Sequence, residues 1–148
     1  MGYHDMTSGN LGGAYRTTEA VDIKLAPGGV GYTVGYTDVG EWLKYDVNVA
    51  QSGNYSITAR GANGATTNGN FRIEVDGVNA TGTISIPPTG SYSTEATVNG
   101  PTIPLAQGPH TLRVYFESSN FDLNWIELSA SSVSSVPTPP SNVVLTVQ

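Results

Sequence analysis

Apolar and polar residues alternate in short runs along this chain, and glycine, asparagine and proline separate the runs. A period of two is typical of antiparallel β-strands, and no stretch has the spacing of an amphipathic helix. The clearest run is 41–49, in which alternate apolar residues share one face. Further strands are predicted at 55–60, 71–75, 82–86, 94–98, 110–117 and 121–128, and Asp76-Gly77 predicts a tight turn.

About eight short strands separated by turn residues predict an all-β fold, a β-sandwich of jelly-roll type with antiparallel strands. The predicted sandwich covers residues 1–128. Residues 129–142 are rich in serine and proline and predict a linker. Residues 143–148 alternate again, as expected for the start of a following domain or for a tail strand. The linker and the polar start at Met1-Gly2 lead us to expect that the sequence is a piece of a larger modular protein.

Composition limits the partners that this chain can bind. Charged residues make up 12% of it and the net charge is -6, so hydroxyl and amide side chains must supply the polar surface. Such a surface suits a neutral ligand rich in hydroxyls. Six lysine and arginine residues cannot neutralise many phosphates, so we expect neither a nucleic acid nor a membrane as partner. The absence of cysteine excludes a disulfide scaffold, a thiolate zinc site and a cysteine nucleophile.

No residue pattern indicates catalysis. A glycosidase needs two carboxylates that face each other across a cleft, and nothing marks such a pair here. Glu41 and Glu74 lie on predicted strands and are expected to face solvent. His4 and His110 are interpreted as solvated turn residues. We therefore predict that the chain is not an enzyme, with a small glycoside hydrolase or lyase as a weaker alternative.

Aromatic residues in loops are the best candidates for a binding site. A sugar ring has an apolar face and a rim of hydroxyls, so an aromatic ring with polar neighbours matches it. Tyr36 and Tyr92 lie outside the clear strands and are candidate platforms, although each could instead pack against its own loop. Four other aromatic residues are predicted to lie in the core: Tyr45, Phe71, Phe116 and Trp125.

Five segments between residues 3 and 128 carry a family resemblance: YHDMTSGNLGGAYRTTEAVDI, GYTVGYTDVGEWLKYDVNVAQSGNYSITAR, FRIEVDG, TGTISIPPTGSY and GPHTLRVYFESSNFDLNWIEL. In their order and spacing they resemble the family 6 carbohydrate-binding modules. The resemblance implies a non-catalytic β-sandwich that binds polysaccharide or oligosaccharide. It also implies attachment to secreted enzymes such as xylanases, agarases and β-1,3-glucanases.

The resemblance also implies which residues bind the sugar. The site lies in loops at one edge of the sandwich and holds a sugar between Tyr36 and Tyr92. Glu19, in the family's T-E-x-x-D segment, and Asp122, in its closing F-N-x-[ND]-W segment, accept hydrogen bonds from hydroxyls. Asparagine is more usual at position 122 and tryptophan is frequent at position 92. Because an aspartate accepts hydrogen bonds but does not donate them, the set of sugars that this chain accepts is expected to differ.

Members of this family commonly hold a structural Ca²⁺, which takes six to eight oxygen ligands. Two of these come from a Glu-Ala-Glu first strand, and this chain begins after that strand. Asn124 matches the remaining C-terminal ligand, so the resemblance implies a weak or missing Ca²⁺ there and no certain cofactor. The absent strand should leave an unpaired edge. We expect the tail strand 143–148 to fill that edge in its own molecule or in a strand-swapped dimer.

Together these expectations define a predicted function. The chain is a non-catalytic module of a larger secreted bacterial protein, and it targets a catalytic domain of the same chain to a neutral β-linked glycan. Xylan, agarose and β-1,3-glucan are the candidate glycan types. The alternative is an adhesin or structural module that binds cell-surface glycan or protein.

Overall fold

The computed structural model describes residues 2–131, and the predicted tail strand with most of the predicted linker lies outside the described residues. Within residues 2–131 all of the regular secondary structure is β-strand, and no helix of this part is long and apolar enough to span a membrane. The strands are β1 Gly2–His4, β2 Ile23–Leu25, β3 Tyr32–Val34, β4 Trp42–Val49, β5 Gly53–Ala62, β6 Gly69–Val75, β7 Val78–Asn79, β8 Ile84–Ile86, β9 Glu95–Leu105, β10 Gly108–Phe116 and β11 Asp122–Ala130.

These strands form two antiparallel sheets. One has the order β1-β4-β10-β6-β7, with β8 paired to β6, and the other has the order β2-β3-β11-β5-β9. Alternate apolar residues of both sheets point inward and form one core, as in a β-sandwich. The residues at its centre are Ile57, Phe71, Ile73, Ile86, Ile103, Phe116 and Phe121, each at most 2% exposed. The predicted all-β sandwich is confirmed.

Turn chemistry explains how the predicted hairpin forms. Asp76 and Gly77 both have positive φ, 51° and 84°, and Val75 pairs with Val78 on either side of them. Two central residues with positive φ are the type I′ turn that Asp-Gly favours.

The last strand, β11, continues to Ala130, past the predicted boundary at residue 128.

Two acidic residues that were expected to face solvent are buried instead. Glu41 and Glu74 are 4% and 3% exposed. Glu74 lies beneath Arg72 and Arg113, whose guanidinium nitrogens donate to it at 2.7 and 2.6 Å. Burial acts to raise the pKa of Glu74, but the two arginines hold it below the usual value. Glu41 accepts two backbone N–H groups from neighbouring loops. The expectation was wrong because alternation along a strand does not show these contacts: Arg72 reaches Glu74 along β6, Arg113 reaches it from β10, and Met6 reaches Glu41 from the loop after β1.

One side of the sandwich is open between β4 and β11. β1 pairs with β4 only at residues 42–44, and β3 pairs with β11 only at Leu123. Within the described residues, the remaining lengths of these two edges have no neighbouring strand on that side. An apolar cavity of about 390 Å³ lies behind the opening, and its lining includes Val47, Ile126 and Leu128. We call this region the open edge.

The open edge also explains two aromatic residues that were predicted to lie in the core. Tyr45 and Trp125 both line the cavity, and they are 37% and 38% exposed. For these two the core prediction was wrong, because no described strand covers them. Phe71 in β6 and Phe116 in β10 pair with each other and are buried as predicted.

Candidate functional site

Tyr36 lies in the loop that follows β3. Its φ is 51°, a left-handed conformation that is uncommon for a tyrosine. The next residue fixes this loop, because the Thr37 hydroxyl donates to the Phe121 carbonyl at 2.7 Å and accepts the Phe121 N–H at 3.2 Å. The Asn120 N–H donates to the Thr37 carbonyl at 2.8 Å. The loop after β3 is therefore joined to the loop before β11, and the Tyr36 side chain remains 53% exposed.

Tyr92 lies in the loop between β8 and β9. One side of its ring packs on Gly64, where a Cβ would come within 2.6 Å of the ring carbons Cδ2 and Cε2. Its hydroxyl donates to the Asn120 carbonyl at 3.3 Å. The Thr89 N–H of the same loop donates to the carbonyl of Asn63, a fully buried residue. These contacts fix a ring that is still 42% exposed.

Lys24 joins the two tyrosines. It is the middle residue of β2, whose neighbour Ile23 is buried in the core. The Lys24 Nζ lies 5.5 Å from the ring centroid of Tyr36 and 5.3 Å from that of Tyr92. The same nitrogen is 2.6 Å from Asp122 Oδ2. The fold thus collects Tyr36, Tyr92, Lys24 and Asp122, which we call the tyrosine cleft.

Asp122 lies beneath Lys24 in this cleft and is 2% exposed. Gly35 leaves room for the pair, since a Cβ there would lie 2.8 Å from both Asp122 Oδ1 and Lys24 Cε. Burial raises the pKa of Asp122, and the Lys24 ammonium opposes this shift. The polar side chain nearer the cleft surface is therefore Lys24, whose side chain is 25% exposed.

Glu19 occupies a different cluster. Its Oε1 accepts the Arg16 Nε–H at 2.7 Å, and this hydrogen bond lowers the pKa of Glu19. The Arg16 guanidinium carbon lies 5.4 Å from the ring centroid of Tyr3 in β1. No described contact joins Glu19 to the tyrosine cleft. The structure therefore brings together three of the four predicted site residues and places Glu19 apart from them.

Asn124, the predicted Ca²⁺ ligand, donates from Nδ2 to Glu95 Oε1 at 2.5 Å. The other oxygen of Glu95 accepts the Arg60 Nε–H at 2.8 Å. Among residues 2–131 no group of three or more His, Asp or Glu side chains is arranged to hold a metal ion. Ca²⁺ takes six to eight oxygens, and the neighbours of Asn124 do not provide such a set.

Lys24 was not identified from the sequence. Its only local sign is a lysine between two apolar residues on a short strand, which predicts a side chain that points away from the core. Its partner Asp122 is on a distant strand, β11, and the link between them requires β3 to pair with both β2 and β11. That pairing could not be read from three-residue strands.

Two exposed aromatic rings beside a polar centre, carried on loops of a β-sandwich, are the arrangement expected of a carbohydrate-binding domain. The sequence profile of the family described as carbohydrate binding module (family 6) matches residues 13–130. The chain belongs to this family, whose members are non-catalytic, and this confirms the prediction that it is not an enzyme.

Individual relatives agree with this assignment. The C-terminal family 6 module of the marine laminarinase LamC from Zobellia galactanivorans is 31% identical, with a TM-score of 0.67 over 74% of this chain and 87% of that one. The family 6 module of lichenase 5A from Cellvibrio mixtus, solved in complex with cellotriose, is 32% identical, with a TM-score of 0.67 over 76% and 88%. The clotting factor G alpha subunit of Tachypleus tridentatus is 27% identical over 103 residues, which are 68% of this chain and 15% of that protein. The chain thus spans only a small part of this last relative.

Proposed function

We propose that this module binds a neutral β-linked glycan and that the tyrosine cleft holds the sugar. The observation that carries the proposal is the convergence of Tyr36 and Tyr92 on one nitrogen, Lys24 Nζ, within 5.5 Å of each ring centroid. The two rings come from loops that are far apart in sequence, and both remain exposed. If each ring packed only against its own loop, nothing would require both rings to lie beside the same nitrogen.

Stacking on the tyrosines supplies the first part of the binding energy. The rings are already fixed by the Thr37 and Gly64 contacts, so little conformational freedom is lost when a sugar binds. By analogy with aromatic pairs, each stacked face contributes about 0.5–1.5 kcal/mol beyond simple burial. Two such faces with a few hydrogen bonds correspond to dissociation constants of roughly micromolar to millimolar.

Polar groups supply the orientation. Asp122 acts on the sugar through Lys24, because its carboxylate is buried beneath that residue. Glu19 lies with Arg16 and Tyr3, so it reaches the glycan only when a bound chain extends beyond the tyrosine cleft. We therefore assign Tyr36, Tyr92 and Lys24 to the first sugar and Glu19 to a more distant one.

The relatives support the choice of a neutral β-linked glycan. The lichenase 5A module was solved with cellotriose, and another similar module comes from a laminarinase. The net charge of -6 on this chain disfavours acidic polymers at long range. We therefore favour glucan-type chains within the wider set of xylan, agarose and β-1,3-glucan.

We further propose that the module is part of a secreted protein and concentrates a catalytic domain of the same chain at its substrate. A tether raises the local concentration of a linked domain without new contacts, and the Ser/Pro-rich residues 129–142 suit a tether in composition. The second candidate, an adhesin or structural module, is favoured by the match to a clotting factor subunit, whose name is not that of a glycan-degrading enzyme. Both candidates use the same cleft.

The experiment is affinity electrophoresis and calorimetry on a panel of β-glucans, xylans and agarose, with the wild type beside Tyr36→Ala and Tyr92→Ala. Tyr15→Ala is the matched control, because Tyr15 is 54% exposed and stacks on Tyr32 rather than in the cleft. We expect at least one polymer to bind, and both cleft variants, but not the control, to lose most of that affinity. Binding that survives both cleft substitutions would place the site elsewhere.

A further inference from the structure

Lys24 has unused hydrogen-bonding capacity in the middle of the tyrosine cleft. A lysine ammonium carries three N–H donors and no acceptor. Its one ion-pair partner among residues 2–131 is Asp122, at 2.6 Å. No other described hydrogen bond uses the Lys24 ammonium, and the side chain is one quarter exposed. Two donors are therefore available between two aromatic rings, where the proposed function places a sugar.

The charge of Lys24 is already compensated. The Asp122 carboxylate is buried and has no other cationic partner in the described part of the chain. An acidic group of a ligand at the Lys24 nitrogen would lie close to that carboxylate, and two like charges in a partly desolvated site repel each other. The preferred acceptor is therefore a neutral oxygen, as in a hydroxyl or a ring ether.

We propose that Lys24 is the specificity-determining residue of the cleft. Its ammonium donates to two neighbouring oxygens of a neutral sugar stacked on Tyr36 and Tyr92, and Asp122 is the positioning residue that holds the ammonium and cancels its charge. This inference rests on the proposed function. The ligand class that it selects is a neutral sugar with two oxygens on adjacent ring carbons, because two donors on one nitrogen reach only oxygens that lie side by side.

The first test removes the ammonium group of Lys24 and keeps an aliphatic side chain of similar length. The chain has two lysines, Lys24 and Lys44. Lys44→Met, which removes the second lysine, is therefore the control for Lys24→Met. On the oligosaccharide that the wild type binds best, Lys24→Met should weaken binding about 10- to 100-fold, the range for hydrogen bonds to a charged group. Lys44→Met should leave the affinity within about 2-fold. Lys24→Arg, which keeps a cation and its donors, should recover part of the loss.

A double-mutant cycle identifies the sugar oxygens. Each variant is titrated with the parent oligosaccharide and with its monodeoxy analogues. Removal of a recognised oxygen should weaken binding to the wild type and have little further effect on Lys24→Met, because the donor is already gone. Equal losses for the wild type and Lys24→Met at every position would overturn the proposal.

The outcomes separate the two proposals. If the folded wild type binds no glycan, the proposed function fails. If it binds a glycan and depends on Tyr36, but Lys24→Met binds equally well, the proposed function stands and the role of Lys24 is wrong. Both measurements use folded protein, which matched thermal transitions of the variants would establish.

The cancellation of the Lys24 charge by Asp122 can be tested separately. Wild-type affinity for a neutral oligosaccharide should exceed that for the matching uronic acid oligomer and should change little with salt. Asp122→Asn leaves the charge of Lys24 uncompensated. The variant should therefore bind the acidic oligomer more tightly relative to the neutral one, and this binding should weaken strongly as salt is added. If this buried substitution prevents folding, the wild-type comparison alone decides. A wild type that binds the acidic oligomer more tightly would contradict charge cancellation by Asp122.

Discussion

The Tyr92 ring rests on the backbone of Gly64, and a Cβ at position 64 would lie 2.6 Å from two of the ring carbons. This distance is far below van der Waals contact, so any side chain at this position forces the ring to move. The obstacle is an aromatic ring whose hydroxyl also donates to the Asn120 carbonyl. The orientation of the exposed Tyr92 ring therefore depends on a glycine in another loop.

We predict that Gly64→Ala weakens glycan binding while the fold survives. The displaced Tyr92 ring should lose its alignment with Tyr36, and the affinity should fall about 10-fold, which corresponds to the loss of roughly one stacked face. Calorimetric titration measures the affinity. Gly53→Ala is the matched control, because a Cβ there meets no atom within 4 Å. Unchanged affinity of Gly64→Ala would mean that Tyr92 does not act as a platform.

A second prediction concerns Thr37, which is 1% exposed and bonds Phe121 through both its hydroxyl hydrogen and its oxygen. Thr37→Val keeps the shape and leaves the N–H and carbonyl of Phe121 without these bonds. The free energy of unfolding should fall by about 1–3 kcal/mol, and the affinity should fall because the neighbouring Tyr36 is no longer held. Chemical denaturation and titration measure the two effects. Thr66→Val, at an exposed loop position, should change neither quantity, and a stable, fully active Thr37→Val would refute this account.

The strands with clear alternation could be predicted, and the elements that form the cleft could not. β4 and β10 are long and have apolar residues on one face, so their pattern is visible in the sequence. β2 and β3 have three residues each, too few for a pattern, although they carry Lys24 and lead into Tyr36. Tyr36 and Tyr92 were predicted as site residues because aromatic residues in loops have few structural roles, and the family resemblance supported the prediction.

The roles of charged residues depended most on tertiary contacts. Glu74 was expected in solvent because its strand alternates, but the outer face of that sheet carries Arg72 and Arg113 from neighbouring positions, and they bury it. Asp122 was expected to meet the sugar directly, and the fold places Lys24 above it. The pairs Arg113–Glu74 and Lys24–Asp122 join residues that are far apart in the sequence, so strand register was needed to find them.

A third prediction follows from the hydrogen bonds of His110. Its Nδ1 lies 2.7 Å from Asp76 Oδ2, and its Nε2 lies 2.9 Å from the Ala106 carbonyl. Asp76 first, and then this carbonyl, raise the pKa of His110 above 6.5. A pKa raised in the folded state gives stability that is complete below the unfolded pKa and is lost as the pH rises through the folded pKa.

As the pH rises from about 6.5, the ordinary pKa of histidine, through the higher pKa of the folded state, the free energy of unfolding should therefore decrease more in the wild type than in His110→Gln. Denaturation curves at several pH values give the difference. Asp76 has a lowered pKa, to which the Thr111 N–H contributes most and His110 next, so its contribution is lost at acid pH instead. Identical slopes for His110→Gln and the wild type would show that the contact with Asp76 does not persist in solution.

The last prediction concerns the open edge between β4 and β11. The lining of its cavity is mostly apolar, and residues 129–148 carry no charged side chain and include the alternating segment 143–148. β11, which forms one side of the open edge, ends at Ala130, thirteen positions before residue 143. We propose that segment 143–148 of one copy adds as a strand to the open edge of a second copy, which would give a strand-swapped dimer. Sedimentation over a range of concentrations should then show a reversible dimer.

Alternation along a strand provides the matched variants. Val143, Leu145 and Val147 would share the face toward the cavity, and Val144 and Thr146 the opposite face. Leu145→Lys should therefore abolish the dimer, because a charge in an apolar cavity is strongly disfavoured, whereas Thr146→Lys should retain it. A monomer at every concentration would mean that strand exchange does not occur. A dimer that tolerates Leu145→Lys would have to form through another surface, since no strand carrying that lysine could occupy the cavity.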